Sequence, residues 1–421
     1  MKTWLTYLAA AAMGIAFALA FGESASFIWS VNLLSEIVLY LGVFIVFPLA
    51  FFSMSAGTAS LSRNKGRGSF VIISSILWAT LSTIVLSFCA TLLFRFFPTV
   101  FPTTSTVPES AEQATALYES LSAASLGSFA AANPLSLNAF FNFVKTGECL
   151  LPILFLALIF GFAVRPTSEI VRPAYITLNS ISEAMFRLAR KVSGLLWIGV
   201  FFLSGVWLDT LWADGTILVS WKFISLLVFS GFLVLFGLIP LLYALCTGFS
   251  RNPYRQIFRL LSSGVAAFFS TNYLFSQSAL YTDCRINLGI QKSVVSTALP
   301  IHSVLTKGGT ALTSTICTCA LIYGATGTIP SSVQMVSISF ACTLVSFVCC
   351  LHAGYEVLFG TVFAIRLLNI DLSGSELAIL GILPLLNGIA LLFDVILSGL
   401  GTSFTACHIK ADCHVRSGDT V

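Results

Sequence analysis

Thr306-Lys307-Gly308-Gly309-Thr310 stands in the middle of an apolar stretch, Ser293 to Ala325, that holds no other charge. A cation at membrane depth costs roughly 2.5 to 3.5 kcal/mol on insertion scales and persists where it lines a site. Paired glycines relax the backbone beside it and free amides and carbonyls, which lipid tolerates only where that backbone faces a protein-lined cavity. A membrane helix broken in this way predicts a transport site.

Working outward, the chain has 421 residues, 57% of them hydrophobic and only 9% charged. That leaves too little polar surface for a soluble globule and predicts a polytopic membrane protein. The formal net charge of +4 is spread over short loops, with no basic stripe interleaved with aromatics, which argues against nucleic-acid binding. Cys89, Cys246, Cys317, Cys319, Cys342, Cys349 and Cys350 lie inside apolar segments, where cysteine behaves as a small hydrophobe, so no disulfide framework is expected. Cys407-His408 and Cys413-His414 could hold a soft metal ion or carry a lipidated thiol, but a plain juxtamembrane tail is the simpler reading, and no cofactor or metal is expected. Lys2 followed by Leu5 to Gly22 imitates a signal peptide. Its apolar core is too long, and another hydrophobic segment follows closely, so it is read as the first span.

Apolar windows near 5–22, 37–54, 70–94, 149–164, 193–211 and 220–246 are each about long enough to cross a bilayer of roughly 30 Å as helices. Beyond 246 the runs shorten and are interrupted by Ser276-Gln277-Ser278, by Lys307-Gly308-Gly309, by Cys349-Cys350-Leu351-His352 and by Asn387. The expectation is a regular part (1–250), a broken-helix core (251–409) and a tail (410–421), with re-entrant hairpins around 260–291 and 334–368. With the first span running outward, sixteen of the 21 Lys and Arg fall inside, and Arg95, Lys145, Lys222 and Arg366 outside. Both termini are then cytoplasmic, in a plasma membrane, the bacterial inner membrane being expected. The basic-free stretch Phe97 to Leu137 becomes an external loop.

Several runs resemble the glutamate transporter family, the dicarboxylate/amino acid:cation symporters of the sodium:dicarboxylate symporter family. Pro48-Leu49-Ala50-Phe51-Phe52-Ser53-Met54-Ser55-Ala56-Gly57-Thr58-Ala59-Ser60-Leu61 is similar to the end of that family's second helix. Ser182-Glu183-Ala184-Met185 and Ile198-Gly199-Val200-Phe201 are similar to its fifth. Leu288-Gly289-Ile290, Leu299-Pro300 and Gly309-Thr310-Ala311 keep its spacing between the first hairpin and the broken seventh helix. The resemblance implies an all-α fold of about eight transmembrane helices plus two re-entrant hairpins. It further implies a homotrimer whose first six helices are a scaffold, and a mobile transport core that slides against it as an elevator, holding a small organic solute and coupling ions between the hairpin tips.

This sequence departs from the family at the ion sites. The family's Asn-Met-Asp-Gly-Thr is replaced by Thr306, Lys307, Gly308, Gly309 and Thr310, so the sodium-cage carboxylate is lost and a cation stands beside its place. On the last helix, the family's Asp, Arg, Asn and Asp places hold Asn387, Ala390, Asp394 and Ser398; the third helix's polar sodium contacts are replaced by Trp78 and Ala79. The hairpin tips become Tyr273-Leu274-Phe275-Ser276-Gln277-Ser278 and Leu351-His352-Ala353-Gly354.

The resulting expectation is a symporter-like secondary active transporter, not an enzyme, in which Thr306, Lys307, Gly308, Asp394 and Ser398 form the coupling region. Ser276, Gln277, Ser278, Thr310, His352, Gly354, Asn387 and Asp394 are the candidate solute residues. Lys307 takes the charge that sodium supplies elsewhere, with Asp394 as its counter-ion; since burial favours neutral forms, the pair could instead carry a proton. The coupling ion, sodium or proton, stays open at this point. Ala390 cannot clamp a carboxylate as arginine does, which points away from dicarboxylates and toward a neutral or zwitterionic solute. A transport-inactive receptor or scaffold is the alternative. His302 reads as a packing residue, and Glu356 as orienting His352 or facing water.

Overall fold

The computed structural model describes residues 3–22, 25–62, 67–101, 150–166, 169–212, 220–348, 354–370 and 375–409, and their regular structure is helical. Six helices come first: α1 (Thr3–Phe21), α2 (Ala25–Ser62), α3 (Arg67–Phe96), α4 (Leu150–Ala163), α5 (Arg172–Trp212) and α6 (Trp221–Thr247), the last carrying one π turn at Val234–Leu238. Helices α2 and α5 have 38 and 41 residues, about 60 Å each at 1.5 Å per residue, twice the hydrocarbon thickness. The windows 37–54 and 193–211 therefore marked only their apolar lengths. Beyond Phe101, the expected external loop lies outside the described residues, as do Lys2, Cys413 and His414.

The second part is built of paired half-length helices. Hairpin one consists of α7 (Pro253–Ser270) and α8 (Tyr273–Thr282), with α8 continuing into a π turn, Asp283–Asn287. Both of its helices start on an asparagine. The Asn252 side chain accepts the amides of Tyr254 and Arg255 at 3.1 and 3.3 Å, with Pro253 at the first helical position; Asn272 accepts those of Leu274 and Phe275 at 2.9 and 3.4 Å. These caps correct two expectations. The hairpin starts at Pro253 instead of near 260, and its tip is Thr271-Asn272, with Thr271 left-handed (φ 46°). Ser276, Gln277 and Ser278 thus lie on α8, about a turn past the reversal. The buried Asp283 ties the hairpin's two limbs together. It accepts the hydroxyl of Ser262 at 2.7–2.8 Å, the amide of Ser263 at 3.2 Å and the Asn287 side chain at 2.8 Å.

The broken helix is α9 (Lys292–Leu305) and α10 (Gly308–Thr326), with Thr306 and Lys307 non-helical between them. Hairpin two is α11 (Ser332–Val348) and α12 (Glu356–Leu367), and the last helix, α13 (Leu383–His408), follows a 3-10 turn at Ser375–Ile382. Helix α10 packs on α3, α11, α12 and α13, and every residue from Gly308 to Ile322 is buried. Its hydroxyls survive there by bonding back one turn: Thr313 to the Gly309 carbonyl at 2.9 Å, Thr315 to Ala311 at 2.7 Å and Thr318 to Ser314 at 2.8 Å. Helix α8 faces the other way, against α2 and α5.

Candidate functional site

Gly309 decides how closely α10 meets α13. A Cβ there would lie 2.0 Å from the Ala390 carbonyl oxygen, so only glycine permits the approach. One turn further along α13, the approach brings Asp394 to the open amides of α10. Its Oδ1 accepts the Gly309 amide at 2.6 Å and the Thr310 amide at 3.4 Å, and its Oδ2 accepts the Thr310 hydroxyl at 2.6 Å. The carboxylate thus caps α10 from a different helix, where the positive end of the helix dipole favours it.

Lys307, the residue before α10, is 1% exposed. Its Nζ stands 4.9 Å from the centre of the Tyr273 ring, at the start of α8, and its charge acts on the carboxylates of both Asp394 and Glu356. A desolvated cation over an aromatic face gains about 2 kcal/mol, which does not repay the burial of a full charge; the carboxylates supply the rest. The Tyr273 hydroxyl donates to Ser398 at 2.9 Å, and Ser398 donates to the Asp394 carbonyl at 2.7 Å. Thr306 and His302 close the other side, their Oγ1 and Nδ1 3.0 Å apart. The expected coupling residues Thr306, Lys307, Gly308, Asp394 and Ser398 therefore share one buried cluster.

The expected solute residues divide. Thr310 spends its hydroxyl on Asp394. Asn387 donates to the Gly354 carbonyl and accepts the Val357 amide at 3.2 Å, so it pins the end of hairpin two to α13. Gly354 (φ 91°) lies beside the other tip: a Cβ on it would be 3.7 Å from the Thr271 carbonyl oxygen. On α8, the Gln277 Oε1 accepts the Ser303 hydroxyl at 2.9 Å, while the Gln277 Nε2 and the Ser278 Oγ are buried with no hydrogen-bond partner among the described residues. Ser276 bonds back to the Tyr273 carbonyl at 2.8 Å. His352 lies outside the described residues. Glu356 does not face water; it is 1% exposed and accepts the Gly354 amide at 3.0 Å.

Sequence reasoning gave Tyr273 and Glu356 no part in the ion cluster. The available signal was that Glu356 is the only acid between Gln334 and Leu368. The third helix adds a further departure. Trp78 is fully buried, donates its indole N–H to the Leu397 carbonyl at 3.0 Å, stacks on Phe404, and fills the space against Gly401 and His302. An indole, an imidazole and a capped carboxylate are poor donors for sodium, which takes several oxygen ligands.

The profile of the sodium:dicarboxylate symporter family matches residues 4–394. The chain belongs to that family. A serine/threonine transporter of Streptococcus thermophilus (strain LMG 18311) is 25% identical to this symporter-family chain over 173 residues, 40% of this chain and 41% of the relative. A serine/threonine transporter of Acinetobacter baumannii (strain ATCC 17978) is 27% identical over 196 residues, 46% of this chain and 45% of the relative. The chain thus spans less than half the length of these relatives. As a family member with several long apolar helices, it is an integral membrane protein.

Proposed function

We propose that this chain is a secondary active transporter for a small neutral or zwitterionic solute of the serine or threonine class, coupled to protons instead of sodium. The observation that carries the reading is the charge arrangement at the broken helix. Lys307 stands beside the place of the family's sodium-cage carboxylate; Asp394 is bound to the Gly309 and Thr310 amides that follow it, and a second buried acid, Glu356, opens the second limb of hairpin two. One ammonium balances one carboxylate. A second positive charge is needed when both acids are ionised, and a proton needs no cage of oxygens.

The solute class follows from Ala390, which offers no guanidinium for a side-chain carboxylate, and from the names of the relatives. The solute sits between the hairpin ends, with Ser276, Gln277 and Ser278 on one side and Gly354, Asn387, Thr310 and Asp394 on the other. The unsatisfied Gln277 and Ser278 atoms support this, because a buried polar group without a partner costs about 1–3 kcal/mol that a bound solute relieves. Residues 1–250 act as scaffold and 251–409 as the moving core, in a homotrimer with both termini on the cytoplasmic side of a bacterial inner membrane.

The test is uptake of labelled serine and threonine into proteoliposomes under an imposed sodium gradient or an imposed pH gradient. The expected result is concentrative uptake driven by the pH gradient without sodium, lost in Glu356→Gln, while solute exchange across the membrane persists. Strict sodium dependence that survives in Lys307→Ala would sink the proposal.

A further inference from the structure

Away from the broken helix, a cavity of about 220 Å³ opens between α5 and the π turn of hairpin one. Arg187 and Arg190 from α5 and Arg285 from the hairpin line it, together with Glu183. Glu183 is already occupied: Arg285 Nη2 reaches its two oxygens at 3.0 and 2.9 Å, Lys292 Nζ lies at 3.2 Å and Arg187 Nε at 3.9 Å. The Phe186 ring holds Arg285 and Lys292 in place, at 4.7 and 5.8 Å from its centre. One carboxylate thus faces three cations, and Arg190 adds a fourth with no ion-pair partner among the described residues. The cavity keeps an excess of positive charge arranged before any ligand arrives.

Its depth identifies the ligand. Helix α5 is too long for the bilayer, and its charges (Arg172, Glu183, Arg187, Arg190 and Lys191) all precede its apolar length, Val192 onward, apart from Asp209. Arg187 and Arg190 therefore lie within about two turns of the point where the helix enters hydrocarbon, which is headgroup level. Guanidinium groups at that level suit a phosphate, which takes paired N–H donors.

We infer that this cavity binds the phosphate of an anionic phospholipid headgroup, bridging α5 to hairpin one. In the division proposed above, the bound lipid would link the scaffold to the moving core; the binding itself does not depend on that division.

The experiment measures thermal unfolding of the purified full-length chain in detergent. Phosphatidylglycerol is compared with phosphatidylcholine, and inorganic phosphate with chloride at matched ionic strength, with native mass spectrometry counting the retained lipid. Phosphatidylglycerol is expected to raise the midpoint by several degrees and to stay bound, and Arg187→Gln/Arg190→Gln, both on exposed positions, should lose both effects while folding normally. A comparable rise with inorganic phosphate alone reassigns the same site to the free ion. Equal midpoints in the two lipids, or an undiminished effect in the double variant, overturns the inference, as does an equal loss in Arg255→Gln, which lies outside the cavity.

Discussion

The first helices and the last solve opposite problems. In α1 only 22% of the apolar window is buried, and Ile73, Phe155 and Phe232 on α3, α4 and α6 are each more than 60% exposed. In α13 the buried share is 83%, and its interior carries Asn387, Asp394, Ser398, Thr402 and Ser403. Where α1, α3, α4 and α6 face outward the solvent is lipid, and large apolar side chains cover them. For α10 and α13 the solvent is protein, and each polar group in them is held by a particular neighbour. The outer helices should therefore tolerate change, while the inner ones should fail at single atoms.

The largest effect is expected at Asp394→Asn. It removes one of the two carboxylates set against the Lys307 ammonium and weakens the cap on α10, a loss of about 4 kcal/mol for a disrupted buried charge cluster. Thermal unfolding in detergent should fall sharply and uptake should vanish. Adding Lys307→Met to Asp394→Asn should return most of the stability without returning uptake, which separates the pair's structural part from its transport part.

Trp78→Ala comes next, at about 3 kcal/mol for the cavity an indole leaves. If the place of a sodium contact is now simply filled, sodium should not rescue the variant. Gly309→Ala should cost about 2 kcal/mol, because α10 must move off the Ala390 carbonyl. Its uptake should fall further than its stability, since the same shift withdraws Asp394 from the α10 amides. On the lipid side, Phe232→Leu should change the midpoint by less than about 0.5 kcal/mol equivalent and leave uptake intact. A large effect there would mean that the outer face is itself an interface.

Much of this contrast was legible in the sequence. The break at Thr306-Lys307-Gly308 could be read because charge and paired glycines stand out against an apolar background, and the structure starts α10 at Gly308. Asp394 was named as the partner of Lys307 through the family resemblance, which put it on the last helix at one of the family's polar places. The hairpin tip was misplaced because hydropathy is blind to caps: Asn272 starts a helix by offering one side-chain oxygen to two amides, a signal a few residues wide. Asn387 was placed at the solute through its position in the family resemblance; its hydrogen bonds to Gly354 and Val357, some thirty residues away, were not legible in the sequence. Glu356 was given to orienting His352 or to water because nothing in its local run reveals that it is buried at the end of hairpin two, held on the Gly354 amide.

In the function proposed above, a tethered ammonium stands where this family's sodium cage would be. The most direct test compares the thermal unfolding midpoint of the purified protein in sodium chloride with that in choline chloride at equal ionic strength. Identical midpoints are predicted at every concentration. A saturable stabilisation specific to sodium in the unaltered protein would contradict the claim.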